Sequence, residues 1–349
     1  MRIVVGILIF SLIVLIHELG HFIFAKKNDI CVQEFCIGFG PTIVGFTKGE
    51  TKYSIKLLPL GGACMMLGED EDEEANKDPR AFGAKSVWAR MQVVLAGPIF
   101  NFILAFIFAL IVMGTVGVDV PVIGALTEGG AAQAAGIKPG DVITSIDGER
   151  VTVYRDVDNI EAFCKTNEIE VTYLREGQTY TVKLTGTPVA GTKLTDFGFK
   201  KGAGRARLGF FDTIKYSVNE VFFWIKTTLK SLGTLFKGRA DVNDMQGPVG
   251  VVKVIANTYD RASNDGLFYI FINMVNIAIL LTANLGVMNL LPIPALDGGR
   301  FVFLVVEAIR RKKLNPRIEG AVNVACFFVL LGLMMVVMFN DIRKIIFPG

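Results

Sequence analysis

Only two histidines occur among 349 residues, and they stand four apart in His17-Glu18-Leu19-Gly20-His21. On a helix, positions i and i+4 share a face, so both imidazoles can reach one Zn²⁺ about 2.0–2.1 Å away. Glu18, lying between them, is placed to take a proton from an attacking water. Such a pattern recurs by chance in soluble chains, but this one lies within the apolar run Ile3–Ala25. Ionisable groups in such a run are costly, and a functional role becomes the default reading over a polar packing patch. At 1.5 Å per residue, Ala25 lies about 12 Å beyond His17 and about 6 Å beyond His21. The pair therefore sits inside the bilayer, displaced toward the end marked by Lys26 and Lys27.

A catalytic zinc site takes three protein ligands and leaves one position open. With no third histidine, the remaining ligand must be a carboxylate or a cysteine. Asp297 is the best candidate, in Asn289-Leu290-Leu291-Pro292-Ile293-Pro294-Ala295-Leu296-Asp297-Gly298-Gly299. There prolines and paired glycines break an apolar stretch that resumes at Phe301–Ile309. Irregular backbone at membrane depth is tolerated only when it is buried in protein or lines a watery cavity. Arg300 follows at once, which brings Asp297 to the same side as His21. The plain alternative is a Pro/Gly turn with a solvated aspartate.

These residues must be carried by membrane spans. Hydrophobic residues make up 52% of the chain and charged ones 20%, with a net charge of +3. Disorder, collagen and a strongly basic nucleic-acid binder are thereby excluded. Runs at Ile3–Ala25, Val93–Val116, Phe268–Leu291 and Ala321–Phe339 each suffice to cross a hydrocarbon core of about 30 Å. The fold class expected is a polytopic α-helical membrane protein with four transmembrane helices. The first run is too long for a cleavable signal peptide and lacks a small-residue cleavage site. Lys and Arg cluster at 26–27, 80–90 and 300–317, and none occurs from Thr115 to Gln133. This bias places 26–90 and 300–320 in the cytoplasm, and both termini and 118–265 outside. The acidic run Glu69–Glu74 reads as a solvated loop. The five cysteines are odd in number and scattered, and read as packing thiols.

Between the spans lie smaller pieces. Ile30–Phe39 and Lys52–Leu60 are β-type runs separated and followed by glycines, too short to span, which favours a re-entrant or interfacial β-hairpin over an ordinary cytoplasmic one. Val122–Thr185 holds short strands with turn pairs Asp147-Gly148 and Glu176-Gly177, and a short helical piece at Ala131–Ala135. The string Gly136-Ile137-Lys138-Pro139-Gly140-Asp141-Val142-Ile143 resembles the turn-and-strand signature of a bacterial PDZ domain, an inserted small α+β module that binds chain ends or serves as a spacer. Residues 187–207 read as a Gly/Lys/Arg-rich linker. Apolar residues then recur at helical spacing from Phe210 to Phe236, as in an amphipathic helix on the outer membrane surface or against the protein's own spans.

Together, His17-Glu18-x-x-His21 in the first run and Asn289-x-x-Pro292-x-Pro294-x-Leu296-Asp297-Gly298 at the third resemble the site-2 protease family. The four spans and single PDZ-like module are similar to its bacterial regulator-of-sigma-E type. Gly97-Pro98-Ile99-Phe100-Asn101 and Gln246-Gly247-Pro248-Val249-Gly250 also match family patterns. The resemblance implies an intramembrane zinc metalloendopeptidase, with His17, His21 and Asp297 as Zn²⁺ ligands and Glu18 as base. It further implies substrate contacts from Asn289, Pro292 and Pro294, and a membrane-dipping sheet that takes substrate as an added strand. Implied partners are single-span membrane proteins such as anti-sigma factors, remnant signal peptides, and the lipid bilayer; no nucleic acid is expected. The division expected is 1–117 with the first two spans and hairpin, 118–188 the PDZ domain, 189–265 linker and amphipathic helix, and 266–349 the last two spans. The rival reading is a non-catalytic membrane PDZ receptor or scaffold with a structural zinc, against which an intact Glu18 argues.

Overall fold

The structure is a computed structural model and describes residues 2–69, 77–164, 166–189, 195–202, 205–237 and 247–346. The acidic run, from Asp70 onward, and Gln246 lie outside the described residues. In chain order the elements are α1 (Arg2–Lys27), β1 (Val32–Lys48), β2 (Thr51–Met66), α2 (Val87–Val116), β3 (Ile123–Leu126), α3 (Ala131–Ala134), β4 (Val142–Ile146), β5 (Glu149–Arg150), α4 (Tyr154–Phe163), β6 (Glu168–Arg175), β7 (Gln178–Thr185), β8 (Thr187–Pro188), β9 (Thr195–Asp196), β10 (Phe199–Lys201), α5 (Phe210–Phe236), α6 (Pro248–Ser263), α7 (Leu267–Asn289), α8 (Asp297–Arg310) and α9 (Pro316–Ile346). They form two compact units, one of residues 1–108 with 231–349 and one of 109–230.

Four helices among the described residues are long and apolar enough to cross a membrane: Val4–Lys27, Val87–Val116, Leu267–Asn289 and Ile318–Lys344. This is the polytopic membrane protein expected. The second begins at Val87 rather than Val93, because Trp88 and Met91 extend its apolar pattern past Arg90. Pro98 stands inside α2. Close helix contact needs small residues, and Gly20 supplies one: a Cβ there would run into the Ala96 carbonyl of α2. In the same unit, α6 packs on α7 through Ile255, Met274 and Ile277.

The helix α6 falls in the 189–265 stretch expected to hold a linker and one amphipathic helix, beyond the Phe210–Phe236 spacing. Pro248 opens it at a position where the missing N–H costs nothing. The Asp341 carboxylate of α9 accepts from the Gly247 and Gly250 amides at 3.0 and 2.7 Å, neutralising the positive helix end.

The hairpin is longer than the sequence suggested, with strands of 17 and 16 residues. Its strands bend, so Phe35 pairs with both Tyr53 and Cys64, and Cys36 with both Ser54 and Ala63. Its base is buried through Ile30, Val32, Cys64 and Met66 against Ala25 and Val93. Its far end is apolar and open: Ile43, Val44 and Phe46 are each about 60% exposed.

In the second unit, β5-β4-β6-β7 form one antiparallel sheet. Asp147 and Gly148 (φ 49° and 77°), and Glu176 and Gly177 (48° and 80°), turn its hairpins with the positive φ that matches strand twist. Its core gathers Ile123, Ile143, Ile146, Val157, Val171 and Leu184. The stretch read as linker also contributes: Phe197 and Phe199 enter that core, and β10 pairs with β3. Helix α5 forms where expected, and is fastened within this unit by Arg155–Glu220 and Lys230–Glu149 ion pairs.

Candidate metal centre

The uninterrupted α1 puts His17 and His21 one turn apart on one face, with ring centroids 4.8 Å apart. Asp297 comes from the other end of the chain. Helix α7 stops at Asn289, and a tight turn follows in which Ile293 N donates to Leu291 O at 2.7 Å and Ala295 takes a φ of 77°. The Asn323 side chain accepts from the Ala295 amide at 3.1 Å and steadies this strained residue. The turn closes so tightly that a Cβ on Gly298 would enter the Leu290–Leu291 backbone, and one on Gly299 that of Ile293–Pro294. The paired glycines are therefore obligatory. Asp297 emerges in the first turn of α8, where the helix dipole favours a carboxylate.

Three atoms converge there. Asp297 Oδ2 lies 3.1 Å from His17 Nε2 and 3.4 Å from His21 Nε2, and the two Nε2 atoms are 3.2 Å apart. For ligands 2.0–2.1 Å from a tetrahedral ion, the ligand–ligand edge is about 3.3–3.4 Å. Asp297 Oδ2 is buried with no hydrogen-bond partner, which is costly unless a cation stands beside it. His21 Nδ1 donates to the Val93 carbonyl at 2.8 Å, so its Nε2 carries the lone pair, the tautomer a metal requires. The residues fit a zinc ion.

Glu18 is held apart from this trio: its Oε2 accepts from the Cys64 backbone amide at 3.0 Å. Strand β2 thus positions the carboxylate, which borders a cavity of about 360 Å³ together with His17, His21, Gly62, Met65 and Asp297. Arg300 and Glu69, at the rim, form an ion pair. Asn289, Pro292 and Pro294 shape the turn that delivers Asp297, and none of them lines that cavity.

Two residues escaped a role in the sequence. Asn101, fully buried on α2, has its amide nitrogen 3.1 Å from His17 Nδ1, and its Oδ1 has no partner. The amide nitrogen and oxygen are interchangeable by rotation. Turned over, Oδ1 accepts from His17 Nδ1–H and frees Nε2 as a ligand. The Asn101 carbonyl also accepts from Thr282 Oγ1 of α7 at 3.2 Å. Gly97, one turn earlier, leaves room for both rings: a Cβ there would meet His21 and His17. The signal in the sequence was Asn101's polarity within an apolar span.

Residues 5–333 match peptidase family M50. The chain belongs to this family. It is similar to a Clostridium acetobutylicum protein, 40% identical over 98% of this chain and 97% of that one. It is similar also to the zinc metalloprotease RasP of Geobacillus kaustophilus, 32% identical over 97% of each. The regulator of sigma-W protease RasP of Bacillus subtilis is 31% identical, again over 97% of each. The M50 match takes in both halves of the metal centre, from α1 through α8.

Proposed function

We infer that this M50 peptidase is an intramembrane zinc metalloprotease that hydrolyses peptide bonds in transmembrane segments. One observation carries the reading: His17, His21 and the orphaned Asp297 oxygen converge at tetrahedral spacing beside a separately anchored carboxylate. His17, His21 and Asp297 would hold the ion. When bound, zinc lowers the pKa of a water toward about 7 and polarises a carbonyl. Glu18 takes the proton from the attacking water and passes it to the leaving amine. The Cys64 amide keeps the carboxylate turned to the cavity. A helical substrate must unwind before attack, since its carbonyls are bonded internally, so helix-weak residues near the cut assist.

The apolar far end of the hairpin supports a re-entrant position in lipid. Its Gly62–Met66 end lies beside Glu18, where an unwound substrate can be added as a strand. Asn289, Pro292 and Pro294 would act on substrate from the turn before Asp297. The 118–188 segment, read as a PDZ domain outside the cytoplasm, together with α5 would exclude substrates with bulky outer domains. The metal centre lies toward the cytoplasmic side in this reading, because Lys26, Lys27 and the 310–313 cations mark that end. Substrates are single-span membrane proteins such as anti-sigma factors; the sigma-W regulatory name of the B. subtilis relative favours that class.

The test is zinc content measured beside cleavage of a model transmembrane substrate, with and without a chelator. A protein that cuts equally well after zinc is stripped is no metalloprotease, and one that binds zinc without cutting any substrate is the scaffold instead.

A further inference from the structure

A second cavity, of about 640 Å³, opens where the first turn of α2 meets the last turn of α8. Five cations line it, Lys85, Arg90, Arg311, Lys312 and Lys313, against a single carboxylate, Glu307. That carboxylate is already neutralised, because both terminal nitrogens of Arg90 bind it. Lys85 pairs with Asp29 at 3.2 Å, and Lys313 donates to the Gly83 carbonyl at 2.7 Å. Arg311 and Lys312 are exposed and join no ion pair among the described residues. Arg311 ends α8 in a left-handed conformation (φ 53°), and the cations 311–313 follow as the chain leaves the helix.

Two further features bear on the ligand. The cavity includes the N-terminal turn of a 30-residue helix, whose dipole adds to the positive field. Trp88, also lining it, is 68% exposed at the start of an apolar span, the level at which indoles sit between headgroups and acyl chains. Lys85 reaches Asp29, two residues past the end of α1, so the cavity lies at the same membrane level as Lys26 and Lys27. A soluble anion would need the cations alone. Ser86 Oγ already accepts from the Ala89 amide at 3.3 Å, so the helix end adds mainly its dipole; cations and an indole at the edge of an apolar span suit a phosphate that carries an acyl tail.

We propose that this cavity binds the phosphate headgroup of an anionic membrane phospholipid, with Arg311 and Lys312 as the principal cations and Trp88 against the glycerol and upper acyl region. Basic pockets between spans on this side of a membrane hold headgroups in the same manner.

Trp88 and Trp224 are the only tryptophans, which makes the test direct. The full-length Trp224→Phe protein is placed in nanodiscs containing 20% brominated phosphatidylglycerol in phosphatidylcholine, or 20% brominated phosphatidylcholine in the same host. Trp88 fluorescence should be quenched at least twofold more by the brominated phosphatidylglycerol. The excess should vanish in Arg311→Gln/Lys312→Gln, with Arg310→Gln/Lys27→Gln as a charge-matched control that keeps it. Zinc stoichiometry reports that each variant is folded. Equal quenching by the two lipids, or an excess that survives Arg311→Gln/Lys312→Gln, overturns the proposal. Abolition of the excess by 10 mM inorganic phosphate, at constant ionic strength, also overturns it and makes the cavity a site for free anions.

Discussion

Asn101 stands 84 positions from His17 in the chain, yet its side-chain amide is 3.1 Å from the Nδ1 of that histidine. This contact fixes the ring from behind, as the Val93 carbonyl fixes His21. Partners of this kind are worth roughly 10–100-fold in metal affinity. Asn101→Leu should therefore weaken zinc binding by about that factor, measured by competition with a fluorescent chelator. Asn101→Asp, which still accepts from Nδ1–H, should stay within a few-fold of the parent.

The proposed base and the proposed ligands can be separated by substitution. Glu18→Gln should keep nearly stoichiometric zinc and lose cleavage, since an amide cannot take the proton. His17→Ala, His21→Ala and Asp297→Ala should each lose both. A Glu18→Gln protein cutting at the parental rate would falsify the assignment of the base.

The room left by Gly97 can be tested against another glycine of the same helix. A Cβ at Gly97 meets both histidine rings, whereas one at Gly114 meets only the Thr213 methyl at 3.9 Å. Gly97→Ala should lower bound zinc well below one equivalent, and Gly114→Ala should leave it unchanged, as read by atomic emission on purified protein.

The proposed sidedness rests on the cations at the span ends and can be tested. Single cysteines introduced at 310–313, in a background without native thiols, should react with an impermeant maleimide only after the inner membrane is opened. Cysteines at 147–150 should react in intact cells. The reverse pattern would put the metal centre toward the outer face.

Burial, reinforced by the neighbouring Asp158 and Asp196 carboxylates, raises Glu161 from 4.5 to about 7. The folded state then holds a proton that the unfolded chain has released above about pH 4.5. Stability from this group is present at low pH and declines as pH rises through 7. Glu161→Gln should remove that decline. Hydrogen exchange of the 154–163 peptide in the intact protein, corrected for intrinsic rates, should show protection falling between pH 5.5 and 8 in the parent and level in the variant.

The convergence of His17, His21 and Asp297 was legible because its signals are local and chemically costly. Two histidines at i, i+4 in an apolar run specify a shared face, and a Pro/Gly break before Asp297 specifies irregular backbone at depth. The turn pairs of the α+β unit were equally plain, since Asp-Gly and Glu-Gly meet a positive-φ requirement within two residues. Helix α6 does carry an apolar stripe at helical spacing, Val251, Ile255, Tyr259 and Ala262, which the sequence reading passed over, but its N-terminal stabiliser, Asp341, lies 91 residues from Gly250. Strand β10 was hidden. Three residues carry no period, and its partner β3 begins at Ile123, far upstream. The role of Asn101 depends on how α2 rotates against α1, which is decided by the close approach at Gly20.

The turn that ends α7 has a consequence for biogenesis. His17 and His21 leave the ribosome with the first span, while the third converging atom belongs to a residue 276 positions beyond His21 and needs the Leu290–Leu296 turn already folded around its glycines. Until translation has passed the turn into α8, the nascent chain holds Glu18 and two imidazoles but not the third converging oxygen. On the proposed function, hydrolytic competence would be timed to the end of synthesis, and neighbours entering the bilayer alongside the growing chain would not be at risk from it.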